Sequence, residues 1–138
     1  MALFSQAGIA DFNAKYTDSL GVLYLSATGR TDYHADGGDC VADVAVPFVS
    51  PWHDALDPVD TLLALPEAIL DGDFNESIAN DGLVRVRDAR WGRFLGCVPG
   101  DHLDEVGQVF NGEPGGGNTW EYLNFYSQLI AYLRSQSL

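Results

Sequence analysis

An acidic residue in a turn and a histidine further along the chain could together do acid–base chemistry. Asp81 lies in the phrase Asn80-Asp81-Gly82, where Gly82 permits a tight turn that projects the acid from the end of an element. His102 follows in an acidic loop that opens after Pro99 and Gly100. A carboxylate that holds an imidazole in one tautomer prepares it to act as a general base. Both an Asn-Asp-Gly turn and a loop histidine are common on protein surfaces, so the pattern acquires catalytic meaning only from its order and spacing.

The nucleophile that such a pair would activate has no clear candidate in the chain. Acid first and histidine second is the order of the last two triad members in α/β-hydrolases, where a serine in a G-x-S-x-G turn precedes both. That phrase is absent from the sequence. Ser26 lies in a strand-like run without the flanking glycines that expose a nucleophile. The sequence therefore contains a possible acid and base of a catalytic triad without a recognisable nucleophile.

The phrases NDGLV and HLDEVGQ closely resemble the secreted, calcium-containing bacterial lipases of the Pseudomonas and Burkholderia type. The phrases AGIADFNAKYTDSLG and LDP resemble two other segments of the same family. The likeness runs from about Leu3 to the C-terminus, with a poor match from Asp32 to Asp54. It implies a partial α/β-hydrolase fold, with Asp81 orienting His102 and with an ester or lipid as the substrate of the complete enzyme. It also implies that the serine elbow, the oxyanion loop and the lid lie upstream, and that the protein is secreted.

One feature of the resembling lipases is missing. The cysteine that they carry a few residues after NDG is Arg87 here, so their disulfide cannot form. The two cysteines of this chain, Cys40 and Cys97, could pair or stay free, and their spacing does not decide between these states. A bond between them would differ from the family disulfide.

The resemblance also implies a structural calcium ion. Matched to the lipase pattern, Asp57 and Asp104 would bind it through carboxylates, and Gln108 and Gly112 through backbone carbonyls. Oxygen ligands from separate segments suit a hard cation. Without the family, Asp57 can be interpreted as the N-cap of a helix that begins at Pro58, and Asp104 as part of a solvated turn. The segment from Asp32 to Asp39 also contains metal-ligand types, but a polar surface loop is the better interpretation.

Composition limits the classes of function. The chain has 138 residues, which suits a single domain, and 46% hydrophobic residues, which excludes general disorder. A net charge of -13 argues against nucleic-acid binding and is compatible with a bound cation. The sequence contains no run of about 18 apolar residues, so no membrane span is predicted. The N-terminus lacks the basic region and continuous apolar core of a signal peptide.

The remaining pattern predicts the elements of an α/β domain. A first helix is expected over Gln6–Ala14, with Ser5 as its cap. A second is expected from Pro58 onward, with an apolar side formed by Leu62, Leu63 and Leu65. A third is expected over Asn118–Ser135, with an apolar side formed by Leu123, Tyr126, Ile130 and Leu133. Strands are expected at Val22–Ser26 and Arg93–Val98, a strand or covered loop at Cys40–Ser50, and a short helix or turn at Leu83–Arg90. Asp60 is expected to be exposed. The two strands should share one sheet.

Two classes of function follow. In the first, the chain is the C-terminal part of a lipase or carboxylesterase that needs a serine-bearing partner segment. In the second, it is a noncatalytic binding or assembly module derived from such an enzyme. A partial sheet has an unprotected edge and an exposed apolar face, so self-association or a partner is expected in either case.

Overall fold

The computed structural model describes residues 6–31, 37–55, 57–70, 78–107, 114 and 118–136. These residues contain four α-helices: α1 (Gln6–Lys15), α2 (Ala64–Leu70), α3 (Val86–Ala89) and α4 (Tyr122–Ser135). The same residues contain two strands, β1 (Leu25–Gly29) and β2 (Arg93–Val98), and short 3-10 helices at Gly37–Cys40, Ser50–Trp52 and Asp104–Val106. None of the described helices combines the length and apolarity that crossing a membrane requires.

The two strands share one sheet, as the sequence predicts, and they pair in parallel to form a two-stranded sheet in the described part of the chain. The structure is therefore α/β in class. Strand β2 has the predicted bounds, but β1 begins at Leu25 rather than at Val22. The observed strand is therefore shifted by three residues along the chain and ends at Gly29, where its backbone passes close to that of Gly100. A Cβ on Gly29 would lie 2.1 Å from the carbonyl oxygen of Gly100.

The outer edge of β2 is covered by a loop. Asp43 donates its backbone N–H to the Phe94 carbonyl at 2.8 Å, and its carboxylate accepts the Phe94 N–H at 2.9 Å. The segment expected as a strand or covered loop from Cys40 to Ser50 is thus the loop. Its side chains Val46, Phe48 and Val49 are buried in the main core.

Helix α4 packs against that core through one of its two apolar stripes. Phe125 is buried, and its ring centroid lies 5.9 Å from that of Phe48. The residues of α4 that pack inward are Tyr122, Phe125, Leu129 and Tyr132. The stripe predicted to face inward is exposed instead, by 59% at Leu123, 39% at Tyr126, 50% at Ile130 and 37% at Leu133. The prediction was wrong because both stripes have helical spacing, and only the partner surface decides which one is buried.

The helix predicted to begin at Pro58 does not form there. Helix α2 begins at Ala64. Of the three leucines expected on the apolar side, Leu63 is buried, whereas Leu62 and Leu65 are 62% and 70% exposed. Asp57 is therefore not an N-cap. Its carboxylate instead accepts the backbone N–H of Asp101 at 2.9 Å, so a tertiary contact has replaced the local cap.

The two ends of the chain also depart from expectation in detail. Helix α1 has nearly the predicted bounds, but Ile9 and Phe12 on its apolar side are each 45% exposed; Ser5 lies outside the described residues. Helix α4 is capped by Glu121, which accepts the N–H of Asn124 at 3.2 Å. Asn118, the expected start, binds the carbonyl of Pro99 instead.

A disulfide joins Cys40 to Cys97, settling a pairing that spacing left open. Both cysteines are buried in a second core cluster with Ala79, Val86 and Phe94. The bond holds the loop that follows β1 against β2. Of the ligand-rich segment before Cys40, residues 32–36 lie outside the described part of the chain.

Candidate active site and acidic cluster

Asp81 and His102 lie side by side at the ends of the two loops that carry them. The Asp81 Oδ2 atom is 2.8 Å from His102 Nδ1, and the Asp81 backbone carbonyl accepts the His102 backbone N–H, also at 2.8 Å. The Asp81 side chain is 3% exposed and that of His102 is 41% exposed. A buried acid thus orients an imidazole that solvent or a substrate can reach.

The turn that carries Asp81 fixes its carboxylate. The Oδ1 atom accepts the backbone N–H groups of Leu83 at 2.8 Å and Val84 at 2.6 Å, which leaves Oδ2 for the histidine. Gly82 has φ of 93°, and a Cβ there would lie 2.9 Å from Leu63 Cβ. Glycine is therefore required by both backbone and packing. Because the acid is anchored by its own turn, its direction does not depend on the histidine.

The same turn is anchored to the end of β1. Thr31 donates its backbone N–H to the Asn80 carbonyl at 3.0 Å, and its hydroxyl donates to the carboxylate of Glu67 in α2. All three residues are buried. Sequence reasoning missed Thr31 and Glu67, because nothing in their local pattern indicates that they meet.

Charges around His102 favour its protonated form. Burial lowers the pKa of the imidazole, but the hydrogen bond to Asp81 and the charges of Asp81, Glu105 and Asp101 outweigh it, so the pKa is raised above its ordinary value. Glu105 accepts the Gly29 N–H, and burial together with the Asp81 charge raises the pKa of this carboxyl to about 7. Ligand-type atoms of Asp81, His102 and Glu105 all lie within 4.8 Å of one another. The site can therefore accept a proton on the histidine and stabilise the resulting charge.

A second group of carboxylates lies next to this pair. Asp57, Asp101 and Asp104 are 0%, 0% and 4% exposed, and each offers an oxygen within 4.8 Å of the others. Asp101 connects them, since its N–H binds Asp57 and its carboxylate accepts the N–H groups of Leu103 and Asp104 at 2.8 and 3.1 Å. The sequence-predicted ligands Asp57 and Asp104 are thus brought together. Asp101 was missed, although its place beside His102 in an acidic loop was a usable signal.

Burial and like charge within this cluster make Asp104 harder to ionise. Burial and the charge of Asp101 raise the pKa of Asp104, while its hydrogen bond to Asp57 lowers it. No lysine or arginine nitrogen in the described residues forms a salt bridge with Asp101 or Asp104. The cluster could hold a metal ion, and a hard oxygen donor set suits a hard cation. Asp60, expected to be exposed, is half-buried beside it, and burial with the Asp101 charge raises its pKa.

The two groups are consecutive in one loop, because Asp101 and Asp104 flank His102 in the sequence. The remaining predicted ligands, Gln108 and Gly112, lie outside the described residues. Comparisons with protein-family models, with curated proteins and with solved structures find no match to this chain. Functional assignment therefore depends on the geometry of these two groups.

Proposed function

We propose that this chain is the C-terminal part of a lipase or carboxylesterase with a partial α/β-hydrolase fold. Asp81 and His102 are the acid and base of its catalytic triad, and the serine lies outside the chain. The observation that carries the proposal is the 2.8 Å contact between a buried, backbone-anchored carboxylate and a half-exposed imidazole. The order of acid and histidine, and the likeness of NDGLV and HLDEVGQ to the calcium-containing bacterial lipases, supply the reaction class.

In this mechanism the two ring nitrogens of His102 have different tasks. Nδ1 carries a proton and donates it in a hydrogen bond to Asp81 Oδ2. Nε2 makes no hydrogen bond with any residue that the structure describes, so it remains available to the serine. It takes the hydroxyl proton as the serine oxygen attacks the ester carbonyl, and it later gives that proton to the leaving alcohol. Asp81 stays ionised and stabilises the imidazolium, in keeping with the raised pKa of His102.

The acidic cluster would hold one structural calcium ion in this enzyme. Asp57 and Asp104 supply carboxylates, Asp101 is a third buried carboxylate in reach, and Gln108 and Gly112 would add carbonyl oxygens. The cation neutralises charge that is otherwise costly to bury. Because Asp101 and Asp104 flank His102, the ion would fasten the histidine loop to the segment at Asp57.

The partner implied by this function is a serine-bearing segment. The cavity beside Glu105, lined also by Thr28 and Tyr126, has a volume of about 40 Å³, well below the ~300 Å³ of small ligand pockets. The substrate pocket would thus be completed by that segment. A parallel sheet is normally covered on both faces, and the exposed stripe of α4 offers apolar surface for the contact. Secretion belongs to the same proposal, and a disulfide is compatible with an oxidising compartment.

Complementation tests the proposal. The isolated chain should neither hydrolyse p-nitrophenyl esters nor react with a fluorophosphonate probe, because it lacks the nucleophile. Joined to a serine-bearing segment encoded in frame upstream, or mixed with one as a second chain, it should do both. Asp81→Asn should then lower kcat about 10⁴-fold, since it keeps the shape but disturbs the tautomer. His102→Ala should lower it by up to about 10⁶-fold.

Matched controls are His53→Ala and Asp88→Asn, which remove an exposed histidine and an exposed aspartate outside the site. Both should retain full activity. Turnover that survives His102→Ala would contradict the triad assignment, and turnover by the isolated chain would contradict the external nucleophile.

A noncatalytic assembly module is the second candidate, favoured by the apolar stripe that α4 leaves exposed. Such a module would also need a partner, but His102 would have no role in its function. A partner complex that forms normally yet never shows esterase activity, with or without His102, would favour this module.

A further inference from the structure

Arg30 is a buried cation to which neither the proposed triad nor the proposed calcium site assigns a role. It directly follows the last residue of β1 and is only 4% exposed. Its backbone N–H donates to the carbonyl of Val98 at 3.0 Å, which fixes it to the ends of both strands. A guanidinium always carries its charge, so burial is tolerated only where its donors are used.

Among the residues that the structure describes, the guanidinium donates to one short segment. Its Nη2 atom donates to the carbonyl of His53 at 2.6 Å and to that of Ala55 at 3.4 Å. Between them lies Asp54, whose charge opposes the lowering of the Arg30 pKa by burial. The Arg30 guanidinium thus binds two backbone carbonyls of the segment that precedes Asp57.

The end of the sheet contacts the segments on both sides of the acidic cluster. The Arg30 guanidinium donates to the carbonyl of Ala55, two residues before Asp57, and the Asp57 carboxylate accepts the Asp101 N–H at 2.9 Å. The Arg30 N–H donates to the carbonyl of Val98, three residues before Asp101. The segment that precedes Asp57 is therefore held by the residue that follows β1, in addition to the direct bond between Asp57 and Asp101.

We propose that Arg30 is the positioning residue of the metal site: it binds the carbonyls of His53 and Ala55 and so presents the Asp57 carboxylate to the cation together with Asp101 and Asp104. The inference rests on the proposed calcium site. A free segment would have to be ordered when the ion binds, and that entropy would weaken binding. Residues that orient metal ligands typically change affinity about 10- to 100-fold when they are replaced.

Calcium calorimetry on the full chain tests this role. Arg30→Met removes both hydrogen bonds but keeps an unbranched apolar stem, and it should weaken calcium binding about 10- to 100-fold. Arg30→Lys keeps the charge and a donor, so it should lose affinity by a smaller factor. The matched control is Arg85→Met, because Arg85 also donates to a backbone carbonyl, that of Leu70, but on a segment that carries no predicted ligand. It should bind calcium as the unaltered chain does.

The possible outcomes distinguish the role of Arg30 from the proposed calcium site on which it rests. No calcium binding by the unaltered chain would overturn both the calcium site and the role of Arg30. Binding by the unaltered chain that Arg30→Met leaves unchanged would overturn the role of Arg30 alone, as would an equal loss in Arg85→Met, which would indicate general destabilisation. If Arg30→Met does not fold, Arg30→Lys carries the test, and full affinity in that variant overturns the proposal.

Discussion

Asp81 and His102 are connected twice, once between their side chains and once between their backbones. The imidazole Nδ1 lies 2.8 Å from the Asp81 carboxylate, and the His102 N–H donates to the Asp81 carbonyl at the same distance. The backbone bond holds the two loops against each other, so the acid and the imidazole are kept close by more than their side chains. The two bonds together fix the position of the imidazole relative to the carboxylate.

The first prediction concerns the titration of His102. In chelator-containing buffer, the pKa of His102 measured by NMR should be lower in Asp81→Asn than in the unaltered chain, because the replacement removes the charge that favours the imidazolium. An unchanged His102 pKa would contradict the dyad geometry.

The same raised pKa predicts how stability depends on pH. A histidine whose pKa is raised on folding stabilises the protein fully below its unfolded pKa of about 6.5, and that contribution is lost as the pH rises through the raised value. The difference in free energy of unfolding between the unaltered chain and His102→Gln should therefore shrink as pH increases. Urea denaturation between about pH 5.5 and 8.5 measures it. A difference that grows with pH would be inconsistent with this sign.

The second prediction concerns the acidic cluster. Calcium at 100 times its Kd should raise the free energy of unfolding by about 2.7 kcal/mol, and chelator should remove the gain. Asp57→Asn and Asp101→Asn should each abolish most of it, whereas Asp88→Asn, on the exposed side of α3, should not. The Asp101→Asn penalty should be smaller in chelator than in calcium, because without a cation the replacement relieves repulsion with Asp104. Thermal melts in both buffers measure this, and a chelator-independent melting temperature would refute the site.

The third prediction concerns the disulfide. Cys40 and Cys97 are 57 residues apart, and closing a loop of that size should contribute about 4 kcal/mol through the unfolded chain. The free energy of unfolding of Cys40→Ser/Cys97→Ser should be lower by roughly that amount and should be insensitive to reductant. Urea unfolding with and without reductant measures both. An unaltered chain that reductant leaves equally stable would indicate that the bond is absent in solution.

The fourth prediction concerns the exposed stripe of α4. The chain should self-associate at high concentration, since contiguous apolar surface is costly in water. Leu123→Glu combined with Ile130→Glu should weaken association without unfolding the helix, because both side chains are at least half exposed. Leu20→Glu, at a fully exposed turn residue, is the control. Sedimentation velocity reports the result, and a stable monomer of the unaltered chain would contradict the expectation.

Much of the candidate site was predictable from short phrases. Asn80-Asp81-Gly82 indicates a turn with a projecting acid because glycine at that place allows the backbone, and the structure has that turn. Strand β2 was predicted with its observed bounds because Arg93–Val98 is a short apolar run ended by Pro99 and Gly100. That both strands belong to one mostly parallel sheet was predicted too, but their direct pairing was not.

Where two local patterns were equally good, the sequence could not choose. Helix α4 has two apolar stripes, and the one with Phe125 is buried because it meets Phe48 across the core. Asp57 had the pattern of an N-cap, yet its carboxylate binds Asp101, 44 residues away.

By itself the sequence determined the residue types that could do chemistry, their order and the turns that carry them, since these depend on backbone conformations that neighbouring residues set. The resemblance implied that His102 meets Asp81 and that Asp57 meets Asp104. Only the tertiary structure brought Asp101 to Asp57 and Arg30 to the carbonyls of His53 and Ala55. Those last contacts join segments that are far apart in the chain. The loops are held together by the ends of the sheet strands, by the disulfide and by the core. The geometry of these contacts therefore cannot be predicted from any local sequence pattern.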